Sequence, residues 1–224
     1  MVIFGYILMC LIFGTTFLVI QLGMEAGAPP FLSAGIRFLL AGLILFLWML
    51  SKRKVKLSLL FQKEMLVTGM GLTFGTFATL YWAEQYVSSG MAAILSATGP
   101  IMIVVLQLGI LRQRASLQAV GGSIIGFLGV VLLVAPHISI NSSSFWLLGC
   151  FAILTGEIFY SSGALYSKYV INRYSTISPI ALNAAQMIYG GGMLIILSWF
   201  TEKEAAAQNL YTPGGLWTLL YLTV

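Results

Sequence analysis

Glu157 is the residue of this chain best placed to do chemistry, because it interrupts the otherwise apolar run Phe145–Tyr166. A carboxyl group at that depth in hydrocarbon is costly. It must face a protein interior or a wet cavity and hold a partner or a proton. Tyr160 and Ser161 follow one helical turn on, then Ala164 and Ser167, so that small and polar groups share one face. Such a stripe can respond to protons or cations, or meet a substrate amine. It can equally hold a neutral, hydrogen-bonded acid in a purely structural role.

Arg37, seven residues after Pro30, is the other charge placed inside an apolar run. It reads as a structural anchor or interfacial ion pair, with recognition of a carboxylate substrate as the functional alternative. Asn183 and Gln186, three residues apart, lie on one helical face. Ser89, Ala93, Ser96, Pro100, Ile103 and Gln107 keep three-and-four spacing and make a small, polar face kinked at Pro100. There a backbone carbonyl is freed, which membranes tolerate where protein or water satisfies it. Thr15, Thr16 and Gln21 are polar positions in the first apolar run. Trp82 and Glu84, within Tyr81-Trp82-Ala83-Glu84-Gln85-Tyr86, fit an interfacial aromatic belt or a cavity mouth. Gly122 and Gly126 have GxxxG spacing, and Gly190-Gly191-Gly192 form a small-residue patch. Both suit close helix packing.

The elements that must position these residues are apolar helices. The chain is 59% hydrophobic and 8% charged, with a mean hydropathy of +0.99. Runs of roughly 18 to 22 residues, long enough to cross a ~30 Å hydrocarbon core, are expected at Phe4–Leu22, Phe31–Leu50, Met65–Ala83, Met91–Leu111, Leu117–Ala135, Phe145–Tyr166 and Ile177–Phe200. An eighth begins near Leu216. The fold expected is an all-α, polytopic transmembrane helix bundle. Lys52, Arg53, Lys54, Lys56 and Lys63 follow the second run, Arg112 and Arg114 the fourth, and Lys168 and Arg173 the sixth. Lys203, flanked by Glu202 and Glu204, is the exception on the other side. The bias places the N-terminus and the ends of the even-numbered spans in the cytoplasm.

The same helix-end anchors account for the net charge of +5, so nucleic acid is not an expected partner. The first run has no positively charged start or small-residue cleavage site, so it reads as a retained helix rather than a signal peptide. Cys10 and Cys150 fall near opposite faces, which argues against a disulfide and for buried packing roles. No zinc, phosphate-loop or Ser–His motif is present, and the single histidine, His137, falls in an outer loop. No enzyme activity, metal or cofactor is expected.

The pattern restarts after Pro136. Pro30, Arg37 and Ala41-Gly42 in one half match Pro179, Gln186 and Gly190-Gly191 in the other, with early glycines Gly5 and Gly149 in the preceding spans. An odd number of helices per repeat inverts the second copy, and inverted repeats build secondary transporters. The expected units are a five-helix repeat over 1–136 and a partial second repeat over 145–224, with two helices and the start of a third. Pairing of equal halves would need roughly 70 to 80 further residues, so the second repeat is expected to be truncated.

The chain resembles the EamA family of the drug/metabolite transporter superfamily. The likeness rests on Phe13-Gly14-Thr15-Thr16-Phe17, Ala28-Pro29-Pro30-Phe31 leading to Arg37-Phe38 and Ala41-Gly42, and Ala83-Glu84-Gln85-Tyr86-Val87 before Gly90-Met91-Ala92-Ala93. Pro100 and the glycines from Gly121 to Gly129 extend it. Where that family often carries an acidic turn after span four, this chain has Leu111-Arg112-Gln113-Arg114. The resemblance implies ten helices in two repeats and export of small metabolites or drug-like solutes across a bacterial-type plasma (inner) membrane. Glu157, Tyr160, Thr15, Trp82, Ser96, Gln107, Asn183 and Gln186 are the expected cavity residues. The competing expectation is a non-transporting membrane protein, or a subunit needing another chain, with a homodimer as one way to complete the cavity.

Overall fold

A computed structural model describes residues 2–109, 112, 116–134, 144–202 and 213–223. The expected positions of Arg114, Pro136, His137, Lys203 and Glu204 lie outside the described residues. With no water in hydrocarbon to satisfy peptide groups, an apolar chain must pair its own backbone, and every described element is helical. Helices α1 (Val2–Glu25) and α2 (Pro30–Ser51) are followed by a 3₁₀ turn, Leu57–Phe61. Then α3 (Lys63–Gly69), a π turn (Met70–Gly75) and α4 (Thr76–Ala83) run on as one rod. Beyond them lie α5 (Ser89–Ser96), α6 (Gly99–Gly109), α7 (Leu117–Val134), α8 (Ser144–Arg173), α9 (Pro179–Thr201) and α10 (Pro213–Thr223).

Pro30–Ser51, Ser89–Gly109, Ser144–Arg173 and Pro179–Thr201 are long and apolar enough to span a membrane. The stretches Cys10–Glu25 within α1 and Leu117–Leu132 within α7 are apolar as well.

Local signals set the boundaries. Helix α1 ends at Gly27, whose φ of 81° favours glycine; Gly27 N–H reaches Met24 O and Ala28 N–H reaches Gly23 O. Pro30 and Pro179 then open α2 and α9, at the helix position where a missing N–H costs nothing. Arg53 occupies the same left-handed conformation after α2, at φ 56°, with Lys54 N–H bonded to Met49 O.

Two antiparallel pairings organise the bundle. Helix α2 packs along α9 through glycines: a Cβ on Gly35 would lie 2.6 Å from Ile195 Cγ1, and one on Gly191 would lie 2.6 Å from Leu39 N. The α3–α4 rod packs along α8, where a Cβ on Gly71 would fall 2.9 Å from Gly163 Cα. Glu202 completes the first pair: its carboxylate accepts from Phe31 N–H (2.6 Å), Leu32 N–H (3.0 Å) and the Ser198 hydroxyl (2.5 Å). It thus satisfies two of the N–H groups that a helix start leaves bare. Phe38, Tyr81, Val87, Ile153 and Leu194 form one buried core. Phe46, Met49, Met65, Val170 and Leu182 form another towards the other end of the bundle.

Three expectations need correction. The sixth helix does not end at Tyr166, because α8 continues to Arg173 and carries Lys168 and Arg173 on helix. At 30 residues it is about 45 Å long and outruns the hydrocarbon, so its charges emerge on helix. Cys10 is exposed rather than buried; Cys150 is half-buried against the core, and both are free thiols. Gly122 and Gly126 meet no other part of the described chain, since a Cβ on either would have nothing within 4 Å.

Candidate functional site

The polar candidates fall into separate clusters linked by two irregularities in the helices. The first irregularity is the α5–α6 junction. Ser-Ala-Thr-Gly-Pro breaks the span at Ala97-Thr98, and Pro100, which has no N–H, restarts it. Buried Glu157 on α8 lies against this break. A Cβ on Gly99 would be 2.5 Å from Glu157 Oε2 and 3.6 Å from Tyr160 Cδ1, so only glycine leaves room for the carboxyl group. Ser96 lies near Glu157, and fully buried Ser161 donates to Gly99 O at 3.3 Å. Glu157, Tyr160, Ser96 and the Pro100 break are therefore one constellation.

The second irregularity is the π turn. Thr76 Oγ1 donates to Gly71 O, five residues back, at 2.9 Å, which supports the wider turn. On one side Thr73 donates to Gln186 Oε1 at 2.8 Å, and Gln186 Nε2 donates to Asn183 Oδ1 at 2.8 Å. On the other side Thr76 approaches Gly156 O at 3.5 Å, next to Glu157. The turn thus stands between the Glu157 cluster and the Gln186–Asn183 pair.

The remaining candidates lie apart from these. The Thr15 hydroxyl pairs with Tyr221 on α10 at 2.7 Å. Trp82 packs against Tyr86 with ring centroids 5.2 Å apart, and Tyr86 stacks on Phe145, so the three form an aromatic row. Gln107 is half-buried on α6, two turns beyond Gly99. Arg37 pairs with no carboxylate among the described residues. Its guanidinium donates to Tyr81 Oη at 3.4 Å and lies over the Phe38 and Phe77 rings. Glu84 is 5% exposed, and both its carboxylate oxygens lack a hydrogen-bond partner. Thr73, Gly99 and Glu202 escaped sequence reasoning. The breaker string before Pro100 was a usable signal for Gly99, whereas Thr73 and Glu202 matter only through distant partners.

No group of three or more His, Cys, Asp or Glu suited to holding a metal ion occurs among the described residues. A bundle of long apolar helices with polar groups buried at helix breaks is a multi-pass membrane protein. The sequence model of the EamA-like transporter family matches residues 1–135, and the chain belongs to that family.

Among relatives, "Uncharacterized transporter YoaV" of Bacillus subtilis is 27% identical over 98% of this chain and 73% of its own length. "Probable amino-acid metabolite efflux pump" of Salmonella typhimurium is 27% identical over 68% of this chain and 51% of its own length. A solved crystal structure shares the fold with a TM-score of 0.64 at 19% identity, covering 95% of this chain and 77% of that one. Family and relatives make this chain a membrane transporter and point away from an enzyme.

Proposed function

We propose that the protein is a secondary transporter that exports small metabolites across the plasma membrane by alternating access, with its N-terminus in the cytoplasm. Residues 1–136 form one repeat and 145–224 belong to an inverted second, and solute passes between them. The observation that carries this reading is buried Glu157 against the Gly99–Pro100 break. An intramembrane carboxyl group beside broken helix is where transporters place coupling and recognition. The direction of transport draws support from the relative named as an efflux pump. In this mechanism Glu157 takes a proton in one arrangement of the halves and releases it in the other. Ser96 and Tyr160 line the path, and the π turn passes the movement on to Gln186 and Asn183.

The test is proton-coupled flux in everted membrane vesicles with a panel of amino acids, nucleobases and cationic dyes. Wild-type protein should exchange at least one of these solutes for protons, at a rate that varies with pH. Glu157→Gln, which cannot ionise, should abolish the pH dependence. Unchanged proton dependence in that variant would remove Glu157 from the mechanism.

A further inference from the structure

We propose that Arg37 and the cleft beside it bind the carboxylate of a compact, largely apolar organic acid. The inference names the substrate class for the transporter reading and rests on it. A cleft open to its surroundings lies between α1, α2, α4 and α10, with Gly23, Ser33, Arg37, Tyr81, Thr218 and Leu219 among its walls. Arg37 is the one charged group among the described walls.

A guanidinium carries five N–H donors in a planar fork. Among the described residues a single long bond engages it, at 3.4 Å to Tyr81 Oη. Phe38 and Phe77 hold its position, with ring centroids 4.8 and 5.7 Å from Cζ. They fix the cation without neutralising it.

Among the described residues no carboxylate pairs with Arg37. Glu202 spends its oxygens on the start of α2 and on Ser198. Glu84, one turn past Tyr81 on α4, is buried and lines no part of the cleft. A half-buried cation with free donors and no counter-ion among the described residues is matched by a carboxylate, which the fork can take with two parallel hydrogen bonds. The other polar walls do not compete. Ser33 donates to Pro29 O and Thr218 to Gly214 O and Gly215 O, so both hydroxyls are occupied within their own helices. Val19, Ile20, Met24, Leu219 and Leu222 leave an apolar surround for a short side chain.

The experiment is thermal unfolding of the purified protein in detergent with free amino acids and short aliphatic and aromatic carboxylic acids, each paired with its amide. At least one acid should raise the unfolding midpoint while its amide does not. Arg37→Gln should weaken that response by about tenfold or more, in line with loss of charge-assisted hydrogen bonds. Arg37→Lys, which keeps the charge but not the fork, should retain part of it. Leu219→Trp fills the cleft from α10 with Arg37 intact and should also abolish the response.

Amides acting as well as acids, a full response in Arg37→Gln or Leu219→Trp, no response to any acid, or a response to inorganic phosphate alone would each overturn the proposal. The readout needs no flux. Acid binding without proton-coupled transport would defeat the transport mechanism alone, and transport without acid binding would defeat the cleft alone.

Discussion

At the scale of single residues, Glu84 carries the plainest energetic debt, with both oxygens buried and unpartnered. An unsatisfied buried polar group costs about 1–3 kcal/mol. Glu84→Met keeps the length and removes the polar atoms, so its unfolding midpoint in detergent should rise by several degrees. A fall would show that the carboxyl group supports the fold. Glu157 was legible in the sequence because an acid amid apolar residues violates hydropathy. The partners of Arg37 were not legible. Only the fold brings Tyr81 and Phe77 across from α4, which replaces the expected ion pair with rings and a phenol. The nearness of Asn183 to Gln186 was legible as one-turn spacing on α9, whereas the bond from Thr73 was not.

At the scale of elements, glycine has two roles that spacing alone does not separate. Gly35 faces Ile195 and the Gly191 carbonyl at distances that admit no Cβ, while Gly122 on α7 faces open space. Gly35→Ala should force α2 from α9 and sharply lower the yield of folded protein on size-exclusion chromatography. Gly122→Ala should leave folding intact and raise the midpoint slightly, since alanine is favoured over glycine within a helix by roughly 0.5–1 kcal/mol. Equal loss in both variants would refute the assignment of packing partners. The helical spans were readable because hydrocarbon demands long apolar runs. The π turn at Met70–Gly75 was not, because an extra residue per turn leaves hydropathy unchanged. The length of α8 was misread because charges beyond the bilayer resemble a loop in sequence while the backbone continues as helix.

At the scale of the whole molecule, the antiparallel packing sorts charge into two poles. Lys52, Arg53, Lys54, Lys56, Lys63 and Arg173 gather where α2 and α8 end and α3 begins, with Arg173 paired to Glu64 at 3.1 Å. Glu25, Glu84 and Glu202 stand where α1, α4 and α9 end. If the basic pole is cytoplasmic, Gln85→Cys should react with an impermeant maleimide outside intact cells, in a Cys10→Ala, Cys150→Ala background. Arg53→Cys should react only after permeabilisation, and the reverse result would turn the molecule over. The Glu202 carboxylate gives this architecture a keel. It staples the tip of α9 to the head of α2, and interlocked glycines seal the two along their length. One helix comes from each proposed repeat, so a change of arrangement between the halves must pivot on this seam.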